Sequence, residues 1–142
     1  MFTRILLGSD GSEGALKAAD VAATLADRFK AHLTLINVFQ PIPACGPFRE
    51  VVNFDLEKQH IRETQEQAVC QVRRVVEKLC VPYQTHWEIG YPATEIVRVA
   101  EADGCDLIVL GSRGLSDIKA FLLGSVADYV VHHAHCPVLI VR

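Results

Sequence analysis

The residues best suited to chemistry in this chain are glycines followed closely by hydroxyls. In GSRGLSDIKAFLLGS, Gly111 and Gly114 come directly after an apolar run, DLIVL, and Gly124-Ser125 opens a helical pattern. A phosphate needs several N–H donors converging on it with no Cβ atoms in the way. Bare backbone after a strand, followed by the start of a helix, supplies them. Ser125 adds a hydroxyl donor, and Arg113 and Lys119 add charge that can offset a triphosphate. The same glycines also read as two separate features, a strand-ending turn and an N-capped helix, and their spacing alone leaves both open. Near the N-terminus, RILLG runs into Gly8-Ser9-Asp10. Gly8 lets a ligand approach the backbone closely. Asp10 offers a carboxylate for ribose hydroxyls or a divalent cation, or it simply shapes the turn before the next helix.

Other chemistries find less support. The sequence has no G-x-x-x-x-G-K-[ST], no G-x-G-x-x-G after the first strand and no G-x-S-x-G. Ser9, Ser12 and Ser112 read as caps and donors rather than as nucleophiles. His132, His133, His135 and Cys136 invite a metal reading, but a helix ending among them breaks the spacing, and histidines suit a helix C-terminus. The five cysteines are odd in number and scattered, with no C-x-x-C pair, so they read as buried thiols in a reducing compartment.

These candidates must be positioned by alternating strands and helices. RILLG (Arg4–Gly8) reads as a buried strand. Ser12 caps a helix in which Ala15, Ala18, Ala19, Ala22 and Leu25 or Ala26 recur at helical spacing. HLTLINVF (His32–Phe39) is a second strand, closed by the proline-bearing loop QPIPACGP. A long polar helix spans roughly Asp55 to Leu79, with Ile61, Ala68, Val72, Val75, Val76 and Leu79 as its apolar face. PYQTHWEI is a third strand, with Tyr83 and Trp87 on one face as core contacts. Pro92 then opens a helix that runs to about Ala102. DLIVLG and PVLIVR complete five strands.

Such alternation implies right-handed crossovers and a parallel sheet covered on both faces. The expected fold is α/β, a doubly wound five-stranded parallel sheet of order 3-2-1-4-5. In that order the chain reverses between strands 1 and 4, where open α/β sheets place their ligands. Gly8-Ser9-Asp10 then faces Gly111-Ser112-Arg113-Gly114. LSDIKAFLL becomes an excursion packing its leucines and Phe121 back on the protein.

A net charge of −3 gives no basic field for nucleic acid or an anionic membrane. No apolar run reaches the ~18–20 residues that span a bilayer, and the N-terminus has no signal-peptide pattern. With 142 residues, half of them hydrophobic, the expectation is one cytoplasmic globular domain.

The pattern G-x2-G-x9-G-S, here Gly111, Gly114, Gly124 and Ser125, resembles the ATP-binding signature of the universal stress protein family. The likeness runs nearly end to end. It takes in ILLGSDGSEGALKAADVAATLA, then GYPATEIVRVAEADGCDLIVLGSRG, then GSVADYVVHHAHCPVLIVR. The resemblance implies an adenine nucleotide alpha hydrolase-like fold and an adenine-nucleotide-binding protein (ATP, ADP or AMP) of the stress response. It implies Asp10 near the ribose and a Mg or Mn ion, and Val38 against adenine. Gly111, Arg113, Gly114, Gly124, Ser125 and Val126 surround phosphates and ribose, and Gly8, Ser9 and Leu110 complete the set.

The family also pairs through its final strand, which implies a homodimer through Val138, Leu139, Ile140 and Val141. An exposed apolar edge strand invites such pairing on physical grounds too. The function expected is a regulatory, sensing module. The alternative is a slow ATPase at the same site, for which Asp10, Arg113 and Lys119 are the available groups.

Overall fold

The computed structural model describes residues 1–41, 54–114 and 122–142. Five strands, β1 (Arg4–Gly8), β2 (His32–Phe39), β3 (Tyr83–Ile89), β4 (Leu107–Gly111) and β5 (Val138–Val141), alternate with four helices. The helices are α1 (Glu13–Phe29), α2 (Phe54–Glu77), α3 (Pro92–Ala102) and α4 (Ser125–His133). The sheet is parallel throughout, in the order β3-β2-β1-β4-β5, as the strand–helix alternation implies. Gly8 pairs with Ile36 and Gly111 with Val141, so β4 ends level with β5, while β2 runs three residues beyond the end of β1 to Phe39.

Side chains alternate across the sheet and build two cores. Ile5, Leu7, Leu33, Leu35, Leu107 and Val109 meet the alanine face of α1 and the valines of α2. Leu6, Ile36, Ile108 and Leu110 meet Ile96, Val99, Ala127 and Val130 of α3 and α4. Small side chains at Ala15, Ala18, Ala19, Ala22, Ala23 and Ala26, all buried, let α1 lie close to the middle of the sheet. Ser12 caps it, its Oγ accepting from the Ala15 N–H at 3.1 Å.

The face of α2 differs from the sequence reading. Among its described side chains, the buried ones are Gln65, Val69, Val72 and Val76, spaced 4, 3 and 4 along the helix. Val72 and Val76 are as expected, while Ile61, Ala68 and Val75 lie half-buried at the margin. The helix stops at Glu77, so Leu79 falls beyond it and is exposed. Tyr83 and Trp87 do pack against the α1/α2 core, with the Arg62 guanidinium 4.2 Å from the Trp87 ring centroid.

At the lower end of the sheet the Asp106 carboxylate ties β1 to β4. It accepts from the Thr3 N–H at 2.8 Å, the Thr3 hydroxyl at 2.7 Å and the Arg4 N–H at 3.1 Å. Burial pushes this carboxyl up, but the bonds from Thr3 and Arg4 outweigh it and hold its pKa below the ordinary 3.8. Among the described residues, no helix is long and apolar enough to cross a membrane.

Candidate functional site

At the upper end, the turns that follow β1 and β4 enclose a cleft of about 280 Å³, near the lower bound of the ~300–1,000 Å³ usual for small-molecule sites. β1 opens it. A Cβ on Gly8 would lie 2.4 Å from Leu110 Cδ2, so a side chain there would have to push Leu110 aside. Ser9 leaves the strand with its N–H donating to the Ile36 carbonyl at 2.9 Å. Its own carbonyl accepts from Asn37 Nδ2 at 2.7 Å. Asp10 then folds back, Oδ1 accepting from the Ser12 N–H at 2.9 Å, while Oδ2 reaches toward Gly114. A Cβ on Gly114 would come within 2.8 Å of that oxygen. Thus Asp10 both shapes its turn and presents a carboxylate across the cleft.

On the opposite side, the Ser112 N–H donates to the Val141 carbonyl at 2.8 Å, and the Gly124 N–H donates to the Ser112 carbonyl at 2.7 Å. The second bond docks the start of α4 onto the end of β4. Gly124 is the N-cap residue of α4, and among the described residues no side chain caps the helix. The N–H groups of its first turn therefore open beside Ser125, Val126 and Ala127, which line the cleft. Gly111 has a further task. A Cβ on it would meet the Gly14 carbonyl carbon at 2.7 Å, and one on Gly14 would meet the Arg113 oxygen at 2.9 Å. These two glycines let the first turn of α1 rest on the end of β4.

All eleven residues expected from the sequence line this one cleft: Gly8, Ser9 and Asp10 from the end of β1 and the turn after it, Val38 from β2, Leu110, Gly111, Arg113 and Gly114 from the β4 end, and Gly124, Ser125 and Val126 from the α4 start. Lys119 and Phe121 lie outside the described residues. Of the three leucines in that excursion, Leu115 also lies outside the described residues, Leu123 packs against the α3/α4 core and Leu122 is exposed, contrary to the expectation that the leucines pack inward. Sequence reasoning missed Ile36, Pro92 and Ile96, which make one end apolar, and Gln40 and Ser112 on the rim. Asn37 was missed as well. A lone amide inside the apolar run LTLINVF was the available signal.

The cleft thus has an apolar end, a row of open N–H groups, hydroxyls and one carboxylate. That set suits a ligand with a flat apolar part, hydroxyls and an anionic tail. Among the described residues, Asp10 is the one acidic residue in the lining. Among the described residues, no three His, Cys, Asp or Glu side chains gather to hold a metal. A Mg or Mn ion beside Asp10 would take its other ligands from phosphate oxygens and water, the usual manner for Mg.

The histidines in the last turn of α4 and just beyond it point elsewhere. His132 and His133 donate through Nδ1 to the Asp128 and Tyr129 carbonyls, each at 2.8 Å, and His135 Nε2 donates to the Cys105 carbonyl at 3.0 Å. They satisfy three separate carbonyls. Cys105 is buried, and burial pushes its thiol up to about 11, but Cys70 and Cys80 are exposed, against the expectation of buried thiols.

These features define a doubly wound α/β protein with an open cleft at its topological switch point. The model of the universal stress protein family matches residues 1–142, and the chain belongs to that family. A universal stress protein of Methanocaldococcus jannaschii is 36% identical over 142 residues, covering 100% of this chain and 83% of its own length. The universal stress protein UspA from Lactobacillus plantarum has the same fold, with a TM-score of 0.78 at 30% identity over 99% of this chain and 98% of that one. A universal stress protein solved in complex with cAMP superposes with a TM-score of 0.72 at 25% identity, covering 99% of this chain and 97% of that one.

Proposed function

We propose that this universal stress protein belongs to the ATP-binding branch and acts in the cytoplasm as a regulatory module whose state follows adenine-nucleotide occupancy. The observation that carries the reading is that Asp10, the glycines that end β4 and the start of α4 at Gly124-Ser125 line one cleft. In this arrangement the apolar end at Val38 and Ile96 takes the base, Asp10 takes ribose hydroxyls or a phosphate-bound Mg or Mn ion, and the α4 N–H groups take phosphate. The relative solved with cAMP supports an adenine nucleotide as the ligand class. A nucleotide switches such a module by binding one of two states more tightly.

Nucleotide extracted from the purified chain, together with calorimetric titration of ATP, ADP and AMP, tests the reading. Copurified or titrated adenine nucleotide supports it. Absence of both, with no shift of the melting temperature by ATP, rejects it. Measuring γ-phosphate release over hours distinguishes a binding module from a slow ATPase, which would turn over repeatedly and lose that turnover in Asp10→Ala.

The same reading includes a homodimer through β5. That strand is a sheet edge, and Leu139 is exposed on it beside Val138, Ile140 and Val141. Leu139→Glu should then yield monomers in sedimentation, and an unchanged dimer would reject pairing through this edge.

A further inference from the structure

Asn37 sits in the middle of an apolar strand, 5% exposed, and belongs to no part of the cleft lining. Its side chain is nonetheless committed to the cleft. Nδ2 donates to the Ser9 carbonyl at 2.7 Å, and since a carbonyl only accepts, the amide orientation is fixed by its partner. β1 ends at Gly8, so the Ser9 carbonyl lies past the last ladder pair and would otherwise be a buried acceptor without a strand partner. Together with the Ser9 N–H bond to Ile36, Asn37 fixes the peptide planes on both sides of Ser9. Asp10 follows at once.

Asn37 is itself held. Gln65 of α2, 4% exposed, donates through Nε2 to the Glu88 carbonyl at 3.0 Å and reaches the Asn37 carbonyl at 3.4 Å. A line of polar contacts therefore runs from α2 through β2 to the turn after β1. At its end, the Ser9 hydroxyl is the one buried side-chain oxygen or nitrogen without a partner among the described residues, on a residue that lines the cleft.

We propose that Asn37 is a positioning residue for the nucleotide site: its amide clamps the Ser9 carbonyl and thereby aims Ser9 and Asp10 into the cleft, and Gln65 steadies it from α2. This rests on the nucleotide reading of the cleft for its effect on binding. It does not rest on that reading for the geometry of the turn.

The test uses the full chain with ATP as probe, comparing wild type, Asn37→Leu and Asn37→Asp, with backbone amide spectra recorded without ligand. Asn37→Leu leaves a buried carbonyl unpaired and should weaken ATP binding about tenfold or more. Asn37→Asp should bind weakly at about pH 8, where a carboxylate opposes the carbonyl. Relative to wild type at each pH it should recover toward about pH 5, because the protonated acid can donate again. The Ser9, Asp10 and Gly11 amide resonances of this variant should move with the same midpoint.

Should Asn37→Leu fail to fold, the pH recovery of Asn37→Asp still decides the matter. Wild-type ATP affinity in both variants, an affinity ratio flat in pH, or unmoved Ser9–Gly11 resonances would overturn the inference. If wild type itself binds no adenine nucleotide, the functional reading falls alone. The ligand-free resonances then decide whether Asn37 positions the turn.

Discussion

At the lower end of β1 and β4, one carboxylate answers three donors, and the backbone of Thr3 and Arg4 is closed against Asp106. At the upper end of the same two strands, among the described residues, α4 starts without a side-chain cap, Ser9 keeps an unpartnered hydroxyl, and glycines stand where side chains would collide. The strands are alike in composition, so the contrast comes from the residues that finish them. One end satisfies the chain internally and holds the sheet together. The other leaves donors open, which costs stability unless a ligand answers them. The two ends divide fold from function along a single pair of strands.

That contrast can be broken from either side. Gly124→Asp would close the upper end by giving α4 a capping carboxylate. Folding stability should hold or rise by a few tenths of a kcal/mol, while ATP affinity falls about a hundredfold or more through charge repulsion. Calorimetric titration beside thermal unfolding separates the two effects, and parallel losses in both would contradict the division.

Gly111→Ala should lower stability by about 1–3 kcal/mol, because its Cβ meets the Gly14 backbone rather than a movable side chain. Urea unfolding measures this. Asp106→Ala should cost about 1–2 kcal/mol at neutral pH and leave ATP affinity unchanged. Because the folded pKa of Asp106 lies below the ordinary 3.8, its contribution is complete above that value and fades as pH falls through the folded one. Wild type should therefore lose its advantage over Asp106→Ala on acidification below about pH 4.

The mildest test concerns thiols. Alkylation of the native protein should reach the exposed Cys70 and Cys80 well before the buried Cys105, whose raised pKa keeps it a thiol.

The contrast also explains what could be read in advance. β1 and β2 begin and end where their apolar runs and turn residues say, because a strand buried on both faces leaves a continuous signature. The switch point follows from the alternation of elements, and the glycines and Asp10 around it announce themselves by type. The links that aim them do not. Asn37 and Ser9 lie 28 positions apart, as do Gln65 and Asn37, and a side chain bonded to a distant carbonyl leaves no periodic trace. Asp106 likewise meets Thr3 across 103 positions. The face of α2 differs only in part for a related reason. Gln65 is polar yet buried and so carries no apolar mark, whereas Val69 is apolar, buried and absent from the expected face.

The contact between Gly14 and Gly111 bears on the cleft as a gauge of its width. Ser12 and Asp10 ride on the start of α1, while Ser112 and Arg113 continue β4. The distance between the two walls is therefore set by how closely a helix can lie on a strand when neither carries a side chain. Such a spacing is a property of hard backbone surfaces, insensitive to the sequence of the surrounding loops. Relatives that keep both glycines should share one gap width however their loops diverge. A chain with a side chain at either position would need a wider gap and a differently shaped ligand.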